Sequence, residues 1–152
     1  MLVEQKLGYF FFDKEILKRS LIRSSYAIAR QEAGEPCDDQ IAYSIVGDAI
    51  LRLILTEFAL RSGYQTEAEI SDWLASRLAE ASLVSLSEAL MIGPFIKLSE
   101  AEKAERIDET PAALVQTLKA LLGAAYFDGG FHTVRKIIKT LFQDQLPPDL
   151  IF

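Results

Sequence analysis

Between Ile41 and Leu55 the chain is apolar except for Ser44, Asp48 and Arg52. These three are spaced four apart, so on a helix they form one narrow stripe. Every other face is greasy, a pattern expected of a helix covered on nearly all sides. The feature constrains the fold strongly, because a long helix of this kind must be wrapped by other elements of the chain or by a partner. It also poses a question of charge. An ionised Asp48 in apolar surroundings must be neutralised, and by spacing alone Arg52, one turn further on, is the simplest partner.

The punctuation around this segment is that of an all-α domain. Asp13 can cap a helix carrying Ile16, Leu17, Leu21 and Ile22. Gly34-Glu35-Pro36 makes a connection, and Asp38 or Asp39 can cap the long helix, which should stop at Ser62-Gly63. Thr66 with Glu69 forms a capping box ahead of Ile70, Trp73 and Leu74. A further apolar period, Leu78, Leu83, Leu86 and Leu90, ends at Gly93-Pro94. Residues 99–109, almost wholly charged or small, should be a solvated turn or loop. Thr110 with Pro111 starts a helix that runs to Phe127 before Gly129-Gly130. A last helix carries Val134, Ile137, Ile138, Leu141 and Phe142, and Pro147-Pro148 closes it. No alternating strand pattern or internal repeat interrupts the series. A chain of 152 residues that is 50% hydrophobic can build one core, so residues 1–152 are expected to form a single domain.

Charge argues against a general polyanion binder. The chain has 16 Lys and Arg against 22 Asp and Glu, a net charge of −6, whereas affinity for nucleic acid comes largely from neutralising phosphates. Local groups remain: Lys14, Lys18, Arg19, Arg23 and Arg30 in one, Arg135, Lys136 and Lys139 in another. Each is a solvated helix face or a phosphate-binding surface. Cys37, the only cysteine, excludes an internal disulfide and fits a reducing compartment. No apolar run approaches the length needed to span a bilayer. Glu4 and Lys6 interrupt the first residues, which do not read as a secretory signal. The expected location is cytoplasmic, with no membrane partner.

Candidate chemistry is sparse. In the Thr110–Phe127 helix the interior polar residues are Gln116, Thr117 and Lys119, with Gln116 and Lys119 on one face. Bland readings exist for both helices: a local Asp48–Arg52 pair, and an ordinary solvent-facing edge. His132, the only histidine, is expected at the surface. Glu57, Glu80, Asp108 and Glu109 are further acids, and spacing pairs none of them with the Asp48 stripe. No nucleophile motif or phosphate-cradling glycine loop is present.

Three segments in register carry a resemblance. Val46-Gly47-Asp48-Ala49-Ile50-Leu51, the later Leu121-Leu122-Gly123-Ala124-Ala125-Tyr126-Phe127-Asp128-Gly129-Gly130-Phe131, and the early Ser25-Tyr26-Ala27 resemble the endonuclease domain of ribonuclease III. The resemblance spans nearly the whole chain. It implies an all-α fold that dimerises through the signature helix, and hydrolysis of double-stranded RNA with Mg²⁺. With Pro147-Pro148 read as the close of the domain, the double-stranded-RNA-binding domain of larger members is not expected here. The chain is similar in that respect to the short Mini-III branch, although Asp128-Gly129-Gly130 looks like the standard enzymes.

In the family a cluster of four carboxylates holds the metal, since Mg²⁺ wants hard oxygen ligands and must activate water. Two lie four apart on the signature helix and two lie three apart on the later one. Those positions fall on Ser44 and Asp48, and on Gln116 and Lys119, so Asp48 alone survives; a further acidic position falls on Ile41. Lys119 brings a positive charge to the place of the dication, and is expected to pair with Asp48 with Arg52 competing. No metal or other cofactor is expected, Mg²⁺ only if a weakened or relocated centre persists. The expected RNA contacts are Lys14, Lys18, Arg19, Arg23 and Arg77; near Arg77, where relatives commonly place Lys and Arg, this chain has Asp72 and Leu74. Ile45 and Ile41 are expected at the dimer interface, with Ile45 inserting into the partner. The expected partner is a second copy or an active paralogue. The favoured reading is thus a non-cleaving dimer that binds structured RNA, followed by a Mg²⁺-dependent endonuclease with a weakened centre, and then by a protein scaffold that has left RNA.

Overall fold

A computed structural model describes residues 1–148. The last four residues of the expected domain, 149–152, lie outside them. Among the described residues there are nine α-helices: α1 (Leu2–Leu7), α2 (Lys14–Ser20), α3 (Ser24–Glu32), α4 (Ile41–Arg61), α5 (Glu67–Leu78), α6 (Glu80–Ala89), α7 (Glu100–Ala104), α8 (Pro111–Gly129) and α9 (Phe131–Leu141). No strand is present among the described residues, only an isolated parallel bridge between Ile22 and Lys97.

Local chemistry sets most of the boundaries. The Asp13 side chain accepts from the Glu15 N–H, Thr66 and Glu69 form their reciprocal box, and Thr110 accepts from the Ala113 N–H ahead of Pro111. The expected cap of α4 is shifted. Gln40 occupies the cap position, and Asp39 acts from one residue earlier, its Oδ1 accepting from the Ile41 N–H at 2.9 Å. Gln40 is wholly buried and its amide donates to the Ser20 carbonyl at 2.7 Å and to Thr117 Oγ1 at 3.2 Å. The start of α4 is thereby tied to α2 and α8.

Helices α4 and α8 form the centre. Leu51, Ile54, Leu55 and Phe58 of α4 and Leu118, Leu121 and Leu122 of α8 are almost fully buried in one cluster with Leu17, Leu83, Ile92, Ile138 and Phe142. Two glycines bring the helix backbones into contact. A Cβ at Gly47 would overlap the Lys119 carbonyl oxygen, and one at Gly123 would overlap the Tyr43 carbonyl oxygen. Only residues without side chains permit this approach, and it presses the Asp48 turn against the Lys119 turn.

Two expectations change. Helix α4 is not covered on nearly every side: Ile41, Ile45, Leu53 and Leu60 are exposed, with Ile45 at 66%. The other helices wrap the face that carries Gly47, Leu51, Ile54 and Phe58 and leave the opposite apolar strip open. The charged segment 99–109 is no plain loop either. It contains α7 and a 3₁₀ turn over Ile107–Glu109, with Ile107 packed on the core and the half-buried Glu102 drawn inward.

Candidate functional site

The close crossing of α4 and α8 places the Lys119 ammonium 2.9 Å from Asp48 Oδ1. Arg52 Nε reaches Asp48 Oδ2 at 3.5 Å. Both cations expected at Asp48 therefore meet it, with Lys119 the shorter contact. The Lys119 hydrogen bond holds the Asp48 carboxyl below the ordinary carboxylate range, against an opposing push from burial and with added attraction from Lys119 and Arg52. Asp48 keeps its charge because a cation sits beside it.

The other family positions are spoken for. Ser44 is buried and its Oγ donates back to the Ile41 carbonyl at 2.7 Å. Gln116 Oε1 accepts from Arg23 Nη1 at 3.2 Å. The same guanidinium grips Glu102, Nε to Oε1 at 3.2 Å and Nη2 to Oε2 at 3.4 Å, and Ser25 Oγ also donates to that carboxylate. Thr117, on the same helix, is buried against Gln40 rather than on a solvent edge. Ile41, onto which the resemblance put a further acidic position, faces outward.

A cavity of about 390 Å³ opens beside these groups, lined by Ser44, Ile45, Asp48, Glu80, Gln116 and Lys119 among others. Glu80 is the residue that spacing missed. It begins α6 directly after the break at Ala79, and the sequence signals that break only weakly, since Leu78 and Leu83 read as one continuous period. Among the described residues, no group of three or more His, Cys, Asp and Glu side chains could hold a metal ion.

The basic residues do not gather into one surface. Lys14 Nζ pairs at 2.6 Å with Glu4, whose side chain is 3% exposed. Lys18 lies 3.5 Å from Glu15, and Arg19 stacks 4.5 Å from the Tyr43 ring centroid while its Nε donates to the Asp39 carbonyl. Arg23 is turned inward to Glu102 and Gln116, away from the group in which it was expected. Arg77 lies over Trp73 at 4.3 Å, on another part of the molecule. Arg135 reaches across to Glu57, Nε to Oε1 at 3.1 Å, so it too is engaged within the fold. The remaining acids of the sequence reading stay apart from Asp48: Glu57 pairs with Arg61 and Arg135, and Glu109 lies 3.9 Å from Arg106. His132 is on the surface, as expected.

The second resemblance motif holds an acid of a different kind. Asp128 accepts from the Tyr9 hydroxyl at 2.6 Å, the Phe12 N–H at 2.8 Å and the Asp13 N–H at 2.9 Å. Burial pushes its pKa up, but these three hydrogen bonds outweigh it and the carboxyl stays below its usual value. Tyr9 is pushed above its usual value by burial and by the neighbouring carboxylate. The N-terminal segment is thereby fastened to the end of α8.

The sequence matches the family model described as Ribonuclease-III-like over residues 13–146. It is 27% identical over 142 residues to Ribonuclease 3 of Syntrophotalea carbinolica, covering 93% of this chain and 60% of that protein. It is 32% identical over 133 residues to Ribonuclease 3 of Oceanobacillus iheyensis, covering 87% of this chain and 58% of the relative. The chain thus spans about three-fifths of the length of these relatives. Among solved structures, it superposes on the nuclease domain of ribonuclease III from Campylobacter jejuni with a TM-score of 0.84 at 27% identity, over 94% of this chain and 95% of that one. That structure is described as showing flexibility in a region involved in dimer formation.

Proposed function

The chain belongs to the ribonuclease-III-like family, and from that premise we propose that it binds structured or double-stranded RNA as a dimer without cleaving it, in RNA processing or within a ribonucleoprotein. One observation carries the reading: the Lys119 ammonium lies 2.9 Å from Asp48, the remaining carboxylate of the site.

The residues present do not fit a divalent cation. Asp48 is held by two basic side chains, Ser44 Oγ is turned to a backbone carbonyl, and the Gln116 oxygen is taken by Arg23. Two like unit charges about 4 Å apart near a protein surface cost about 4 kcal/mol, and a dication beside an ammonium about twice that. A metal would have to displace Lys119 before it met its first anionic ligand, so no hydrolytic step is assigned here. Lys119 takes the place of the ion and keeps Asp48 neutralised.

Dimerisation rests on the open strip of α4. Ile45 and Ile41 are 66% and 41% exposed, on a helix whose apolar surface exceeds what this chain covers. A second copy or an active relative would cover them, with Ile45 as the inserting residue. RNA contact would run through Lys18 and Arg19, with Lys14 and Arg77 contributing at separate points, and would weaken steeply with salt. A cytoplasmic location fits the lone Cys37 and the absence of any described helix long and apolar enough to cross a membrane.

A second reading, a weakened Mg²⁺-dependent endonuclease, draws on Glu80, a second acid on the Asp48 cavity. A third, a protein scaffold without RNA binding, draws on the ten acidic and four basic residues between positions 65 and 109. One set of assays separates them. The chain is mixed with long duplex RNA and Mg²⁺ or Mn²⁺, with Asp48→Ala as the control for contaminating nuclease, and binding is followed by fluorescence anisotropy at low and high salt. Salt-sensitive binding without cleavage is expected. Cleavage lost in Asp48→Ala selects the second reading, and no binding at low salt selects the third. Sedimentation at micromolar concentration should give a dimer, and a monomer would end the dimer claim.

A further inference from the structure

A cavity of about 520 Å³ lies away from Asp48, between α2, α3, the connection before α4 and the first turn of α4. Its volume is in the range of small-molecule sites, and its chemistry is specific. Tyr26 and Tyr43 supply aromatic wall. Arg19 is fixed within it by stacking on Tyr43 and by the hydrogen bond from its Nε to the Asp39 carbonyl. Its two terminal amino groups have no hydrogen-bond partner among the described residues. Lys18 and Arg30 add positive charge at the rim; Lys18 lies 3.5 Å from the exposed Glu15, which also lines the cavity, and Arg30 is paired with Glu35 and lies near the Tyr26 ring. The Asp38 carboxylate, exposed at the edge, has no cation within pairing distance among the described residues.

A flat ring against tyrosines, an anion at a guanidinium and a lysine, and an N–H donor at a free carboxylate are the three demands of a nucleotide. Duplex RNA cannot meet them, because its bases are stacked and paired; unpaired bases can be splayed out onto aromatic and arginine planes. We infer that this cavity receives an unpaired nucleotide of a bound RNA, with its base against Tyr26 and the Arg19 guanidinium plane that stacks on Tyr43, its phosphate at Lys18 and the Arg19 amino groups, and its amino edge toward Asp38. The inference rests on the RNA-binding reading above and adds to it a preference for a duplex with a single-stranded neighbour. Purely acidic ligands are disfavoured by Asp38, and purely apolar ones leave the Arg19 amino groups without a partner.

The test is an affinity ratio. Fluorescence anisotropy compares a blunt RNA duplex with the same duplex carrying a short single-stranded tail, using the whole chain. Stacking of one base predicts about tenfold tighter binding of the tailed duplex. Tyr26→Leu, which keeps apolar bulk, should bring the ratio close to one, and Asp38→Asn, on an exposed loop where folding is not at risk, should lower it about threefold and alter the preference among tail bases. Circular dichroism checks that each variant is folded. Equal binding of tailed and blunt duplexes by the unaltered chain overturns the cavity assignment and leaves the RNA-binding reading intact. A tail preference that survives both Tyr26→Leu and Asp38→Asn overturns the assignment as well. Binding of neither duplex at low salt overturns both.

Discussion

Two of the three motifs that carry the family resemblance contain an aspartate, and the two aspartates have opposite surroundings. Asp128 is satisfied by neutral donors, a tyrosine hydroxyl and two backbone N–H groups. Asp48 is satisfied by cations, Lys119 and Arg52. Asp128 does a structural job that needs no ion, since hydrogen bonds to a charged carboxylate suffice to hold the N-terminal segment on α8. At Asp48 a lysine of the facing helix supplies the balancing charge. One motif therefore speaks for the fold, and the other for what the fold's centre can hold.

The largest effect should come from the contact beneath Asp48. Gly47→Ala or Gly123→Ala pushes a Cβ into a facing carbonyl, which requires the two central helices to separate; a loss of more than about 3 kcal/mol is expected, or failure to fold, seen by thermal unfolding. Next in size, Asp128→Ala removes the shared acceptor of the half-buried Tyr9 hydroxyl and of two solvent-exposed backbone N–H groups, and should cost about 1–2 kcal/mol, with faster proteolysis of the N-terminal segment. Retention of full stability would remove Asp128's structural role. Lys119→Ala should cost only about 1 kcal/mol or less, because the pair is partly exposed and Arg52 remains. Its larger consequence should be in ligand binding: with Ser44→Glu and Gln116→Glu added, the Lys119→Glu variant should acquire measurable Mn²⁺ binding by calorimetry. The same two glutamates with Lys119 retained should show much weaker binding, and equal binding would refute the idea that Lys119 excludes the metal.

The smallest effect is on pH dependence. Both carboxyls are held below their ordinary values in the fold. Each therefore stabilises the fold fully above the unfolded-state value of about 4, and the contribution is lost as pH falls through the lower folded value. Lys119→Ala should remove much of the Asp48 part of this acid loss, Arg52 keeping the rest, and Tyr9→Phe much of the Asp128 part. High salt should weaken the Asp48 contribution more, since it is chiefly ionic. Acid-unfolding midpoints at low and high salt measure the difference.

What could be seen in the sequence was mostly local. Thr66 with Glu69, Thr110 with Pro111, and Asp13 fix helix starts within a few residues of chain, and each sits where spacing put it. The Lys119–Asp48 contact was legible only because the resemblance laid the two helices side by side. Contacts without such a guide were hidden. Arg23 meets Gln116 across 93 positions, and Tyr9 meets Asp128 across 119; both depend on how α8 crosses the rest of the chain. Glu80 was hidden by a helix break at Ala79 that carries no glycine or proline. The open face of α4 was illegible for another reason, because periodicity reports which faces are apolar and cannot report which of them the same chain will cover.

The backbone contact at Gly47 and Gly123 carries a consequence for how such a chain can change over time. The side chains of Ser44, Gln116 and Lys119 border this crossing, Lys119 meeting Gly47 through its backbone carbonyl alone, so these side chains can be exchanged while the helices stay in place. The glycines allow no such exchange, since any added atom lands on a carbonyl. Mutational tolerance is thus divided between neighbouring turns of the two central helices: the side chains around Asp48 can change at little cost in folding, while the glycine contact that holds the helices together cannot.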